Sequence, residues 1–317
     1  ESLKRAGVHS FIIVIGKNGK TISRYFGNGK DFDAKIEYVE EKEPLGTGGV
    51  LALLHEKIDD DFIFCFGDLM LDIDWQRFRS FHKEKKASIS AFAHPNSHPY
   101  DSDILKTNKE DQILAIDSKN NIRNYYYENL TNAGIYICSK EVALFVKEPE
   151  KIDFEKVVLS HFVEERKAYA YRSSEYVKDC GTPERYFEVE NDLKNGIIAN
   201  KSLLNPQKCI FLDRDGTINV FNDFVTHPDA LKLTCTASEA IRLINHSDYL
   251  AICITNQPVL ARGEVSFEGL NDIHYKMEDL LGEEGAFLND LYFCPHHPDK
   301  GYPGEVKELK IDCDCRK

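Results

Sequence analysis

Short apolar runs that read as strands alternate with stretches of helical periodicity along most of this chain, and that alternation narrows the fold more than any other feature. FIIVI (11–15), KIEYV (35–39), FIFCFGD (62–68) and ASISAFAH (87–94) have the length and the β-branched or aromatic content of strands. GTGGVLALLHEKI (46–58) and DWQRFRSFHKEKK (74–86) carry helical spacing between them. This is the βαβ rhythm of a mainly parallel sheet. NAGIYIC (132–138) and KAYAYR (167–172) continue as strands, with helices at KIDFEKVVLSHFVEE (151–165) and at TPERYFEVENDLKNG (182–196), where Pro183 suits a first turn.

Periodicity then fades over 197–207, around Asn205 and Pro206, and the stretch reads as a linker. A second βα series follows: KCIFLD, the helix TASEAIRLINHSD, the strand YLAICIT and the helix FEGLNDIHYKMEDLLG. The expected organisation is α/β with two domains, 1–200 and 206–317, and at 317 residues with 42% hydrophobic content each can bury its own core. A net charge of −13 excludes a nucleic-acid partner in the absence of a basic strip. No apolar run approaches the roughly 20 residues of a membrane span, and no signal pattern precedes Phe11–Ile15, so a cytoplasmic protein is expected. Oligomeric state is not legible. The opening on Glu1 inside a helical run and the stop at Lys317 after a charged motif predict a fragment cut at both ends.

Nine cysteines include six that stand singly (Cys65, Cys138, Cys180, Cys209, Cys235 and Cys253), mostly in apolar runs, which predicts reduced buried thiols. Cys294-Pro295-His296 and Cys313-Asp314-Cys315 are different: three sulfurs and an imidazole in two close pairs match a closed, structural zinc site, with His297 as an alternative to His296. The Pro-, Gly- and charge-rich loop between them has little core of its own and would gain from a metal staple.

Asp213-Arg214-Asp215-Gly216-Thr217 follows an apolar strand, so Asp213 sits at the strand's carboxyl end, where open parallel sheets place ligands. Two carboxylates one residue apart can divide labour, one attacking phosphorus and the other protonating the leaving oxygen and then activating water. Thr255-Asn256-Gln257 ends the next strand and puts a hydroxyl and an amide on the same rim to hold phosphate oxygens, with Lys317 able to neutralise charge. In the first domain, Pro44-Leu45-Gly46-Thr47-Gly48-Gly49 opens a helix with residues small enough for a base or sugar to approach the main chain. Asp68 ends a strand where a carboxylate can hold magnesium against phosphates, Asp179 is a second candidate for that ion, and Asn132-Ala133-Gly134 can read sugar hydroxyls.

FLDRDGTINV, TNQPVLARGE, YFCPHHPDKG and CDCRK resemble the D-glycero-D-manno-heptose 1,7-bisphosphate phosphatases of the haloacid dehalogenase type, over residues 208–317, with histidinol-phosphate phosphatases as neighbours. That resemblance implies a Rossmann-like parallel sheet, Asp213 as nucleophile, Asp215 as acid/base, Thr255 and Asn256 as phosphate binders, Lys317 as a cationic clamp and Arg316 as a substrate contact. It implies magnesium on the Asp213 carboxylate and the Asp215 carbonyl, and zinc on Cys294, His296, Cys313 and Cys315. PLGTGG, FGDLMLDID, TNAGIYI and KDCGTPERY resemble sugar-phosphate nucleotidyltransferases, in particular the mannose- and heptose-1-phosphate guanylyltransferase branch, over residues 1 to about 195.

The second resemblance implies a GT-A-like mixed sheet, a sugar phosphate and a nucleoside triphosphate or nucleotide sugar as partners, Asp68 and Asp179 as magnesium ligands, and contacts from Gly46, Thr47, Gly48, Asn132 and Gly134. The GxGTR loop and Pro-Lys pair with which that family begins are not in this sequence, which predicts weak nucleotide-sugar binding and negligible transfer. Together the two halves read as a bifunctional enzyme of activated-heptose biosynthesis, feeding lipopolysaccharide, capsule or S-layer glycans. The alternatives are a histidinol-phosphate phosphatase and a first domain that binds sugar nucleotides without turnover.

Overall fold

The computed structural model describes residues 1–17, 19–221 and 223–315. Its first strands, β1 (Ser10–Ile15) and β2 (Lys35–Glu40), pair in parallel as a separate ribbon. Then come β3 (Phe62–Cys65), β4 (Leu69–Asp72), β5 (Ile89–His94), β6 (Ile104–Thr107), β7 (Ile113–Asp117), β8 (Thr131–Cys138), β9 (Ala168–Arg172) and β10 (Tyr176–Asp179). The main sheet runs β7-β6-β8-β5-β9, with β3 also on β8. Only β5 and β9 pair in parallel within it; β3, β5 and β6 all meet β8 antiparallel. The sheet is therefore mixed, as the GT-A resemblance implies, and not the mainly parallel one that the rhythm suggests. Between β5 and β8 the chain folds back through the β6–β7 hairpin, and antiparallel pairing requires no crossover helix.

β8 is the spine of this half, and its period-two alternation feeds two cores. Tyr136 and Cys138 face a cluster with Leu51, Ile89, Phe154 and Phe162, while Ile135 and Ile137 face one with Ile73, Trp75, Phe78 and Phe92. The helix Trp75–Lys85 closes the second core and starts on Asp74, whose carboxylate accepts from the Gln76 and Arg77 amides at 3.0 and 3.1 Å. The helix Pro183–Lys194 has Pro183 in its first turn as expected, and Thr182 Oγ1 accepts from the Arg185 amide.

Three further expectations need correction. The stretch 46–58 is not one helix but a turn at Gly46–Gly49 and two 3-10 segments, Val50–Leu53 and His55–Lys57. Gly46 sits at φ +70° and three glycines in four residues weaken the helical register. The linker is not loose: Ile197–Asn200 forms a turn whose Ile197 and Ile198 bury against Tyr176 and Val189, too short an element for its period to show. Of the six single cysteines, Cys138 and Cys253 are buried, Cys65, Cys180 and Cys209 are half-buried and Cys235 is exposed.

The second half is a parallel sheet of β11 (Lys208–Leu212), β12 (Tyr249–Asn256) and β13 (Asp290–Cys294), in that order. The helices Ala237–Asn245 and Phe267–Glu283 pack on it through Ile241, Ile273, Met277 and Leu281, against Ala251 and Cys253 of β12. The halves meet where the Asn129 amide donates to Glu278 Oε2 at 2.8 Å and where Gly282 lies so close to Pro99 that a Cβ would fall 2.7 Å from its ring. Among the described residues no helix is long and apolar enough to cross a membrane.

Candidate active sites

Parallel register puts the second half's candidate residues on one rim. Leu212 pairs with Cys253 and Asn256 with Cys294, so Asp213, Thr255, Asn256 and Cys294 all lie at the strands' carboxyl ends. Asp213 Oδ1 accepts from the Arg214 amide at 2.7 Å. Asp215 is gripped by Arg214, whose Nε and Nη2 reach Oδ1 at 3.0 and 2.9 Å, and by Gln257, whose Nε2 donates to Oδ2 at 2.8 Å. The same Gln257 nitrogen lies 2.9 Å from Thr255 Oγ1, so one amide joins the second carboxylate to the Thr255 hydroxyl.

Arg214 is fully buried, and its Nη1 donates to His274 Nε2 at 3.2 Å, which puts the imidazole proton on Nδ1. Burial, with the Arg214 charge behind it, pushes His274 down to about 3, so the ring stays neutral and able to accept. Gly216 turns the chain at φ +82°, after which Asn219 bridges back to Asp215. Arg214 and His274 were not legible as part of the site; the signal for Arg214 was its place between two acids, and His274 had none. Arg316 and Lys317 lie outside the described residues.

The four zinc candidates converge. One ligand atom from each of Cys294, His296, Cys313 and Cys315 lies within 4.8 Å of every other. The sulfurs stand 3.4 to 3.6 Å apart, and His296 Nδ1 is 3.1 Å from Cys315. A tetrahedron with Zn–S of about 2.3 Å has sulfur–sulfur edges of about 3.8 Å, so the donor set fits that ion with a small expansion. His297 is turned away, its Nδ1 accepting from the Asp299 amide at 3.2 Å, so His296 is the imidazole facing the sulfurs.

In the first half a cleft of about 510 Å³ gathers Asp68, Asn132, Gly134 and Asp179. β4 and β10 pair antiparallel with Leu69 opposite Asp179, which brings Asp68 and Asp179 to the same end of a ribbon. A Cβ on Gly181 would lie 3.4 Å from Asp179 Oδ1 and 3.6 Å from Asp68 Oδ2, so the two carboxylates face each other across the space that a side chain there would fill. Burial pushes Asp179 up, but hydrogen bonds from Arg185 at 2.7 Å and the Gly181 amide, with the Arg185 charge, leave it below the usual carboxylate range. The residues present thus fit a divalent cation.

Behind them the Asn132 amide donates to Tyr136 Oη at 2.6 Å, and Tyr136 donates to Glu155 Oε1 at 2.8 Å. Burial raises Glu155 to about 7. Glu155 lines the cleft and carried no sequence signal beyond membership of a helix. Gly46, Thr47 and Gly48 are not among the cleft's walls. A Cβ on Gly46 would fall 2.4 Å from the Ile152 carbonyl and one on Gly48 would fall 3.1 Å from Phe154 Cα, while Thr47 Oγ1 accepts from the Phe154 amide at 2.8 Å. Their smallness admits the segment that leads into Glu155.

Comparison with known proteins agrees with both halves. The chain is 39% identical over 111 residues to D-glycero-beta-D-manno-heptose-1,7-bisphosphate 7-phosphatase of Salmonella typhi, covering 34% of this chain and 55% of that protein. It is 27% identical over 201 residues to mannose-1-phosphate guanylyltransferase of Mycobacterium tuberculosis, covering 62% of this chain and 55% of the relative. The chain thus spans about half the length of the curated relatives it matches. HddC from Yersinia pseudotuberculosis shares the fold at a TM-score of 0.52 and 22% identity, over 61% of this chain and 82% of that one. The nucleotidyl transferase family model matches residues 1–196, and the chain belongs to that family.

Proposed function

We propose that the protein is a bifunctional enzyme of nucleotide-activated heptose synthesis, with units 1–200 and 206–317. The second unit hydrolyses a sugar bisphosphate and the first transfers a nucleotidyl group to a sugar 1-phosphate. The observation that carries the reading is the rim of the second sheet: Asp213 and Asp215 beside Thr255 and Asn256, in a chain of which 111 residues are 39% identical to a heptose bisphosphate phosphatase. Asp213 has the place of a nucleophile at a strand's carboxyl end, and Asp215, oriented by Arg214 and Gln257, has the place of the acid that protonates the leaving oxygen and then activates water.

Magnesium would be held by the Asp213 carboxylate and the Asp215 carbonyl here, and by Asp68 and Asp179 in the first unit; it would supply charge neutralisation at phosphate oxygens. Zinc on Cys294, His296, Cys313 and Cys315 would be structural. Asn132 and Gly134 would contact the sugar, Arg316 and Lys317 the phosphate-bearing substrate, and the protein would work in the cytoplasm. The test is phosphate release from heptose 1,7-bisphosphate with magnesium. Magnesium-independent hydrolysis, or full activity in Asp213→Asn, would overturn the covalent route; a preference for histidinol phosphate would overturn the sugar assignment.

A further inference from the structure

Arg214 stands between the two acids of the second half's rim, and its side chain is 0% exposed. Its charge is met by Asp215, whose Oδ1 lies 3.0 Å from Nε and 2.9 Å from Nη2, and whose Oδ2 lies 3.0 Å from Nη2. Its other two partners are neutral: Gln257 Oε1 at 2.9 Å from Nη2, and His274 Nε2 at 3.2 Å from Nη1. A guanidinium has donors only, so each atom facing it has to accept. The Gln257 atom against Nη2 is therefore the amide oxygen, and the amide nitrogen is left to Asp215 Oδ2 and Thr255 Oγ1, at 2.8 and 2.9 Å. By the same rule His274 presents a bare Nε2.

The imidazole itself is held by packing. His274 is buried in the helix Phe267–Glu283, beside Ile273 and Met277 of the core, and its ring centroid lies 5.6 Å from that of Phe293 on β13. One turn further along the same side of the helix, Glu278 Oε2 accepts from the Asn129 amide at 2.8 Å, and Gly282 lies against Pro99. The first half thus backs the helix, and the helix backs the ring. An apolar side chain at 274 would leave a buried N–H of a charged group without its acceptor, and a protonated ring would set donor against donor. The ring bonds the guanidinium and the guanidinium bonds the carboxylate, so the place of the ring is passed on to Asp215.

We infer that His274 is a positioning residue for the phosphatase reaction: through the Arg214 guanidinium it fixes the Asp215 carboxyl at the rim, ready for the oxygen that leaves phosphorus. This rests on the phosphatase reading of the rim. No bond to phosphorus forms or breaks at His274. The proton that Asp215 gives to the leaving oxygen and then takes from water does not pass through the ring, whose Nε2 is occupied by Arg214. What the imidazole supplies is an acceptor of fixed place, which keeps the guanidinium from turning and the carboxyl from following it.

The experiment measures phosphate release from heptose 1,7-bisphosphate, with magnesium, by the full chain and a set of variants. His274→Leu should lower kcat by about 10- to 100-fold, the scale of a lost hydrogen bond to a charged group, and leave KM within about twofold. His274→Gln can offer an oxygen to Nη1 and should recover kcat to within about fivefold of the unmutated chain. In an Asp215→Asn background His274→Leu should change kcat by less than about twofold, since a residue that acts through Asp215 then has nothing to position. An unchanged kcat in His274→Leu, equal losses for Leu and Gln, or a loss of the same size in both backgrounds would overturn the positioning. Nitrogen-15 NMR of the unmutated chain reads the contact without any variant, so it decides even where His274→Leu does not fold: a bare Nε2 with the proton on Nδ1 is expected, and the opposite tautomer would overturn the proposal. No phosphate release by the unmutated chain would overturn the phosphatase reading itself, whereas release indifferent to His274 removes the positioning alone.

Discussion

The two halves assemble their candidate sites by different routes. In the second half Asp213, Arg214 and Asp215 are consecutive, and the fold brings the end of one neighbouring strand and His274 of a helix alongside them. In the first half Asp68 and Asp179 meet because β4 and β10 pair antiparallel, and Asn132 of β8 is oriented through Tyr136 by Glu155 of a fourth segment. A site whose two carboxylates share one turn depends less on distant packing than a site assembled from four segments. The comparison predicts where substitutions far from the chemistry will matter.

The largest effect tests the local half. Asp213→Asn should lower phosphate release by about 10⁴-fold or more, as removal of a nucleophile does elsewhere, with the thermal midpoint nearly unchanged. Asp215→Asn should lose about 10²- to 10⁴-fold, seen as a change in the pH–rate profile as well as in rate; equal profiles for the two variants would show that Asp215 does not handle the proton.

The distant half should break from its scaffold. Gly134 lies at φ +72°, and a Cβ there would fall 2.6 Å from the Phe66 ring, so Gly134→Ala should cost about 1–3 kcal/mol in denaturant unfolding and weaken nucleotide-sugar binding through the displaced Asn132 amide. If binding of GDP-mannose to Gly134→Ala matched that of the unsubstituted chain, Asn132 would not be a sugar contact. The zinc loop gives an intermediate case, because its ligands are local in pairs but the pairs are joined by the fold. Cys313→Ser should abolish stoichiometric zinc and raise amide exchange across 295–312 while leaving the first half's protection intact; unchanged zinc content would refute the tetrahedral set.

The smallest effect sits at the join. Glu278 is raised to about 8, by burial first and then by the nearby Glu128 charge, with Asp279 adding to it and the Asn129 amide and Arg172 opposing. Its folded pKa lies above the unfolded value near 4.5, so its contribution to stability is complete below about pH 4.5 and is lost as pH rises toward 8. Thermal midpoints should drop by a few degrees between pH 5 and 8, and Glu278→Gln should flatten that slope. A slope unchanged by Glu278→Gln would mean that other groups carry it.

What was legible in the sequence followed from the range of each interaction. Strand and helix alternation, the strand that ends at Asp213 and the pairing of Cys294 with His296 and of Cys313 with Cys315 are set by neighbours a few residues apart, so periodicity and spacing express them. The β4–β10 ribbon, the antiparallel company of β8 and the burial of Arg214 against His274 depend on segments far apart in the chain. The glycines of PLGTGG make the contrast plain: their smallness is visible in the sequence, but only the packed segment 150–154 reveals what they make room for. Local chemistry determined which side chains stand at a strand's end, and tertiary packing, by burying some and leaving others open, decided which of them face a ligand together.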